Sequence, residues 1–197
     1  MMTTSEMQLT TEQWFAMRAT YGRNLVAQKA LEEKGIETFV PMRKARLRVR
    51  GAAGRRAGSG SRSARERGKV QWEPAVRDLI FVRTERRIIQ EAKQEIPFLH
   101  YIMRGAKDEE RSPLTVPERQ MRPFIENNTA GDSIIEWLEP ADLRPGERFH
   151  ILDGPFRGME ATLQRLPGRR SRSVIVSIEG LIAAAISVPI DSIERKE

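Results

Sequence analysis

From residue 139 to the C-terminus the sequence breaks into short alternating runs: Arg148 to Leu152, Met159 to Leu166, Ser173 to Glu179, Ala183 to Val188 and Ile190 to Glu194. Gly or Pro punctuates nearly every gap between them. Alternation with period two sends successive side chains to opposite faces of a strand, and runs this short at this spacing predict a small, strongly bent β-barrel. The chain has 197 residues, enough for that barrel and one further domain with its own core.

The front of the chain has a different texture. Residues 1–13 are polar and read as a disordered leader without a secretory signal. Trp14 to Thr20 reads as a strand that ends in the turn Tyr21-Gly22. Arg23 to Lys34 reads as a helix, with Val26 and Ala30, and Ala27 and Leu31, four apart and Gly35 at its C-cap. Ile36 to Val40, Leu79 to Arg83 and Tyr101 to Arg104 are predicted strands, Arg86 to Glu95 a helix, and Val116 to Asn127 a last helix with Pro117 in its first turn and Pro123 inside. This order predicts an α+β domain over residues 14–127, helices packed on a mainly antiparallel sheet. Residues 128–138 read as a linker and residues 139–197 as the barrel.

Charge is unevenly spread. The net charge is +7 and the sequence pI is about 10.2. Between Arg43 and Lys69 eleven basic residues face Glu66 alone, a balance of +10 that leaves the other 170 residues at −3. The centre of this stretch, Gly51 to Gly60, holds no large apolar residue, so residues 43–73 read as a basic loop insertion or hairpin tip. A run of like charge is often only solvated, but eleven cations in this window exceed what solubility needs and point to phosphate contact. Candidate nucleic-acid ligands within it are Arg46, Arg48, Arg50, Arg55, Arg56, Arg62, Arg65, Arg67 and Lys69, with Arg18, Arg23 and Lys29 extending the surface. Residues 43–69 hold no aromatic residue, which favours phosphate attraction over base stacking.

Several functional classes find no support. Cysteine is absent, the only histidines are His100 and His150, and there is no HExxH, Walker loop or nucleophile elbow. Neither catalysis nor a metal or cofactor is expected. The most apolar late run, Leu181 to Ile190, is about half the roughly 20 residues a bilayer span needs, so no membrane segment is expected either.

The most specific stretch is Arg144 to Leu163, RPGERFHILDGPFRGMEATL. Gly146 follows Pro145 in a turn, a strand leads to the reversal Gly154-Pro155-Phe156-Arg157-Gly158, and Met159, Ala161 and Leu163 alternate along the return strand. Turn chemistry alone fits a hairpin that merely folds. The segment resembles the KOW motif, with Gly146, Gly154, Pro155, Phe156 and Gly158 in its characteristic positions and Ala161 where many members carry glycine.

Trp14-Phe15-Ala16-Met17-Arg18-Ala19-Thr20-Tyr21-Gly22-Arg23, followed by a helix and then Gly35 to Pro41, resembles the opening of a NusG N-terminal domain. The details MRATYGR and Phe-Val-Pro resemble the UpxY branch of specialised NusG paralogues tied to capsular polysaccharide operons. Arg77-Asp78 replaces the family's usual Pro-Gly, and Leu79 its usual tyrosine. The resemblance implies a cytoplasmic, monomeric, non-enzymatic elongation or antitermination factor. Its first domain would grip the RNA polymerase β′ clamp helices through Leu79 and Phe81, with Phe98 and Tyr101 nearby, and its arm would reach non-template or upstream DNA. Its barrel would bind a small-subunit ribosomal protein, Rho or nascent RNA. If Ile80 and Val82 meet the helices, Leu79 and Phe81 are left as an exposed patch for a partner; an apolar strand residue that simply packs in a core is the plain alternative. The rival function is a ribosome- or RNA-binding KOW protein acting in assembly or translation.

Overall fold

The computed structural model describes residues 12–46, 70–105, 111–128, 135–138, 146–166, 172–178, 181–186 and 192–195. The leader before residue 12 and the centre of the basic arm lie outside them.

The first domain is organised around β1 (Gln13–Ala19), whose apolar run suits a strand buried on both faces. On one side it pairs antiparallel with β5 (Leu79–Thr84), Ala16 opposite Phe81 and Met17 opposite Ile80. β2 (Glu37–Phe39) extends the sheet beyond β5. On its other side β1 pairs with β6 (Leu99–Tyr101) and, nearer its start, with β9 (Thr115–Val116). Period two then sorts the residues. Phe15, Met17, Ala19, Ile80 and Val82 form one buried layer with Ala27 and Leu31 of α1 (Asn24–Glu32) and Ile89 and Ala92 of α2 (Arg86–Glu95). Trp14, Ala16, Phe39, Leu79 and Phe81 face the other way, into a second layer with Met121 and Phe124 of α3 (Glu118–Asn127).

Helix α1 buries the stripe Asn24, Ala27 and Leu31, whereas Val26, expected on its apolar side, is exposed. Gly35 ends the helix at φ +72°, letting the Ile36 N–H donate to Leu31 O at 3.0 Å and the Gly35 N–H to Glu32 O at 2.9 Å. Ile36 and Leu31 then pack in the same layer, which completes a Schellman-type cap. Gly35→Ala is expected to cost roughly 1 to 2 kcal/mol through left-handed strain, because nothing crowds the site. A chemical-denaturation midpoint measured on the full chain checks it.

Three expectations need correction. Residues 43–73 are not all loop, since β3 (Met42–Arg46) and β4 (Val70–Pro74) pair from Met42 opposite Pro74 to Arg46 opposite Val70. The arm therefore begins as a hairpin. Val116 belongs to β9, and Pro117 sits at the N-cap of α3 in extended conformation, ahead of the helix and not in its first turn. Tyr101 to Arg104 is two short strands, β6 and then β7 (Met103–Arg104), which pairs with β8 (Ser112–Pro113).

The second domain is a six-stranded antiparallel sheet, in the order β10-β14-β13-β12-β11-β15 among the described residues. Its strands are β10 (Ile135–Leu138), β11 (Glu147–Ile151), β12 (Glu160–Arg165), β13 (Arg172–Ile178), β14 (Ile182–Ile186) and β15 (Ile193–Arg195). Ile151, Val174, Val176, Ile178, Ile182, Ala184 and Ile186 fill its interior. β10 corrects the boundary, because residues 135–138 were expected in the linker yet pair with β14 over Ile135 opposite Ile186 to Leu138 opposite Ala183. Ile135, Trp137 and Leu138 are all buried there. Fully burying a large apolar side chain stabilises by about 1.5 to 3 kcal/mol, comparable to the few kcal/mol a core of this size supplies. A fragment of residues 139–197 is expected to be largely unfolded by circular dichroism, and one of residues 132–197 folded.

Candidate functional site

The apolar face of the first-domain sheet meets the barrel. Phe124 of α3 is fully buried, stacks on Trp137 of β10 with ring centroids 5.5 Å apart and meets the edge of Phe156 at 5.3 Å. The Trp137 indole N–H is shared between Asn128 Oδ1 at 2.7 Å and Met42 O at 3.1 Å, both first-domain atoms. One continuous cluster therefore runs from Trp14, Phe39, Leu79 and Phe81 through Phe124 to Trp137, Phe156 and the barrel interior. An indole suits this position, since its ring supplies apolar area and its single donor satisfies a first-domain acceptor.

The structure corrects the expectation for the polymerase-binding candidates. Leu79 and Phe81 share a face as expected, opposite Ile80 and Val82, which meet the helix layer. They are not exposed, however, being 4% and 0% accessible. Both lie in the cluster that takes in Met121 and Phe124 of α3 and, through Phe124, the barrel, and Phe81 also lies 6.2 Å from the ring of Phe39. Phe98 and Tyr101 do not join them. Both pack against the helix layer on the opposite side of the sheet, Tyr101 5.7 Å from Phe15. The Tyr101 hydroxyl is buried without a hydrogen-bond partner, and burial raises its pKa against the opposing pull of Arg86, while Lys93 lies over its ring at 4.2 Å.

Of the basic candidates, Arg18 and Lys29 are exposed on β1 and α1. Arg23 is half-buried, its guanidinium 3.9 Å from the Phe98 ring centroid and 5.5 Å from that of Tyr21. Arg46 closes the paired part of β3. Arg48, Arg50, Arg55, Arg56, Arg62, Arg65, Arg67 and Lys69 lie outside the described residues.

Around Arg23 is a surface that sequence reasoning missed. Tyr21, Val26 and Leu25 are 80%, 58% and 43% exposed, and Arg77 is exposed with its Nε 3.9 Å from where a Cβ on Gly22 would stand. Tyr21 sits at φ +64° and Asp78 at φ +68°. The left-handed region costs a non-glycine residue roughly 1 to 2 kcal/mol. Two bonds hold it here: the Ala19 N–H donates to Asp78 O at 2.7 Å, and the Gly22 N–H donates to Asp78 Oδ1. Asp78 thus takes the conformation a glycine of a Pro-Gly turn would take, and compensates with its side chain. The signal available in the sequence was the replacement itself.

The barrel reversal is built as its residues suggest. Gly154 and Gly158 lie at φ +83° and +79°, Pro155 is exposed, and Phe156 is buried. The Gly158 N–H donates to Ile151 O at 2.8 Å, and the Ile151 N–H to Met159 O at 3.1 Å, closing the loop onto β11. Gly146 lies close to β12, where an added Cβ would stand 3.0 Å from Leu163 O. Phe156 does more than plug the barrel, because it also touches Phe124 of the first domain.

A helix-layered antiparallel sheet followed by a small barrel with a Gly-Pro-Phe-x-Gly reversal defines a two-domain α+β protein with a KOW-type C-terminal unit. The family model described as NusG, Transcription termination factor nusG, matches residues 12–125, more than half of the chain, and the chain belongs to the NusG family. Members of this family are generally transcription elongation or termination factors that bind RNA polymerase, and are not enzymes. A solved structure described as "Domain interaction in Thermotoga maritima NusG" is similar at 15% identity and a TM-score of 0.48, over 95% of this chain and 98% of that one. No curated protein matches. Among the described residues, no helix is long and apolar enough to cross a membrane.

Proposed function

We propose that this chain is a cytoplasmic elongation and antitermination factor whose first domain binds the β′ clamp helices of RNA polymerase through the sheet face bearing Leu79 and Phe81. The observation that carries this reading is that this face is apolar and buried in one cluster with α3, which the barrel meets through Trp137 and Phe156. When the barrel leaves, this cluster loses the Trp137 and Phe156 contacts on Phe124 and opens on that side, and exposed apolar patches mark partner sites. Binding there favours the processive form of the polymerase by differential affinity, with no chemistry required. Phe98 and Tyr101 act behind this face, as supports on the opposite layer. The MRATYGR and Phe-Val-Pro segments support a specialised paralogue of the UpxY kind, acting on polysaccharide operons. A pull-down of core RNA polymerase from lysate tests the partner, and ribosomal subunits appearing in its place would favour the rival reading.

In this reading the basic arm and the surface around Arg23 contact upstream or non-template DNA. With about five phosphate contacts, log affinity for duplex DNA falls against log salt with a slope of roughly −4 to −5. Deleting residues 51–69 is expected to flatten that slope in a fluorescence-anisotropy titration while leaving the melting transition in place. A slope unchanged by the deletion would remove the arm from the account. Tyr21, exposed beside Arg23, adds an aromatic surface to this face.

A further inference from the structure

Among the described residues Tyr21 is the most exposed of the large apolar and aromatic side chains, yet its backbone lies in the left-handed region at φ +64°. That region is least costly for glycine or asparagine, so folding alone gives no reason for a tyrosine here. The turn is nonetheless held. The Ala19 N–H and the Gly22 N–H both donate to Asp78, which is itself at φ +68° and stands where the family's usual turn has glycine. Strain that neighbouring bonds maintain under an unpacked side chain is a mark of function.

Arg23 supports the ring. Its guanidinium lies 5.5 Å from the Tyr21 ring centroid and 3.9 Å from that of Phe98, and its Nε donates to Thr20 O at 3.3 Å. Most of the Tyr21 ring is left to solvent. Further cations stand nearby: Arg77 Nε lies 3.9 Å from where a Cβ on Gly22 would stand, and Lys29 is exposed one turn beyond Leu25 and Val26 on α1. The first turn of α1 has no acidic residue, and the carboxylate of Asp78 already accepts from Gly22 and lies 3.9 Å from Arg77. An open π face among cations suits an unpaired base, which stacks on the ring while its phosphates meet the charges. A paired base offers no such face without leaving the duplex.

We infer that Tyr21 stacks on an unpaired base of single-stranded DNA, with Arg77 and Lys29 toward the flanking phosphates and Asp78 fixing the turn that presents the ring. Phosphate attraction by the arm acts on either form of DNA; this platform selects the single strand. It rests on the DNA reading proposed above and assigns the face around Arg23 to the unpaired strand.

Fluorescence anisotropy on the full-length chain tests it with three labelled probes: a short oligodeoxyadenylate, the same strand annealed to its complement, and an abasic strand of equal length. The wild-type chain is expected to bind the oligodeoxyadenylate roughly tenfold tighter than the abasic strand. Tyr21→Ala and Tyr21→Leu should remove that preference and leave the abasic strand and the duplex bound as before, whereas Tyr21→Trp should keep it. Each replacement carries a Cβ, so none changes the strain of the turn. A preference that survives Tyr21→Ala, or an equal loss on all three probes, would overturn the assignment. So would retention by Tyr21→Leu, since a merely apolar contact, as in a protein interface, needs no π face. An oligoriboadenylate bound more tightly than its deoxy counterpart would move the platform to RNA and overturn it likewise. A wild-type chain that binds none of the DNA probes removes the DNA reading as a whole, whereas duplex binding without the single-strand preference removes Tyr21 alone.

Discussion

Trp137→Ala should release the barrel from the first domain while leaving the first domain folded. In the docked chain this indole stacks on Phe124 and donates to Asn128 and Met42, so truncation removes the ring contact, the burial and the donor together. Large-to-small changes at buried aromatic positions cost about 3 to 5 kcal/mol. In the undocked chain the indole keeps its place on β10 and loses Phe124, Asn128 and Met42, so only the share of that cost owed to those partners falls on docking. With about half of it on docking, the closed-to-open ratio is expected to drop by roughly one to two orders of magnitude. Small-angle scattering should report a larger radius of gyration for the variant. An unchanged radius would mean that the remaining contacts, among them Phe124 against Phe156, hold the barrel without the indole.

Phe81→Ala is the second large effect, and it differs from what an exposed patch would give. A surface phenylalanine could be truncated with little change in stability; this one is fully buried, opposite Ala16 and beside Phe39. The loss expected in the intact chain is about 3 to 5 kcal/mol. If the barrel supports that burial through Phe124, the same change should cost less in the Trp137→Ala background. The two positions are then coupled, and a double-mutant cycle by urea denaturation measures the coupling. Additive effects would show that the barrel contributes nothing to the environment of Phe81. If the exposed face also anchors polymerase, Phe81→Ala weakens that complex by about 2 kcal/mol or more, roughly 30-fold.

These expectations separate what local pattern can reveal from what it cannot. The faces of β5 were legible, because period two assigns Ile80 and Val82 to one side and Leu79 and Phe81 to the other whatever lies beyond. The cover on the second face was not, since docking between two domains leaves no periodicity in either. β1, α2 and the barrel strands were readable for the same local reason. β3 and β4 were hidden because Arg43, Lys44 and Arg46 stand where apolar alternation would signal a strand, and backbone pairing with β4 organises them instead. β10 is so short that Ile135, Glu136 and Trp137 offer barely one period, although their alternation was present. Tyr101 was grouped with Phe81 by resemblance to the family, whereas its pairing opposite Met17 assigns it to the helix layer.

The central claim is that the chain engages RNA polymerase through the face the barrel covers. Apparent affinity then scales with the fraction of chains in which that face is open. The direct measurement is the equilibrium affinity of the wild-type chain and of Trp137→Ala for purified core RNA polymerase, with the opening of the variant verified in the same preparation. The account predicts that the opened variant binds roughly tenfold tighter or better. An opened variant that binds core polymerase no more tightly than the wild-type chain would contradict it.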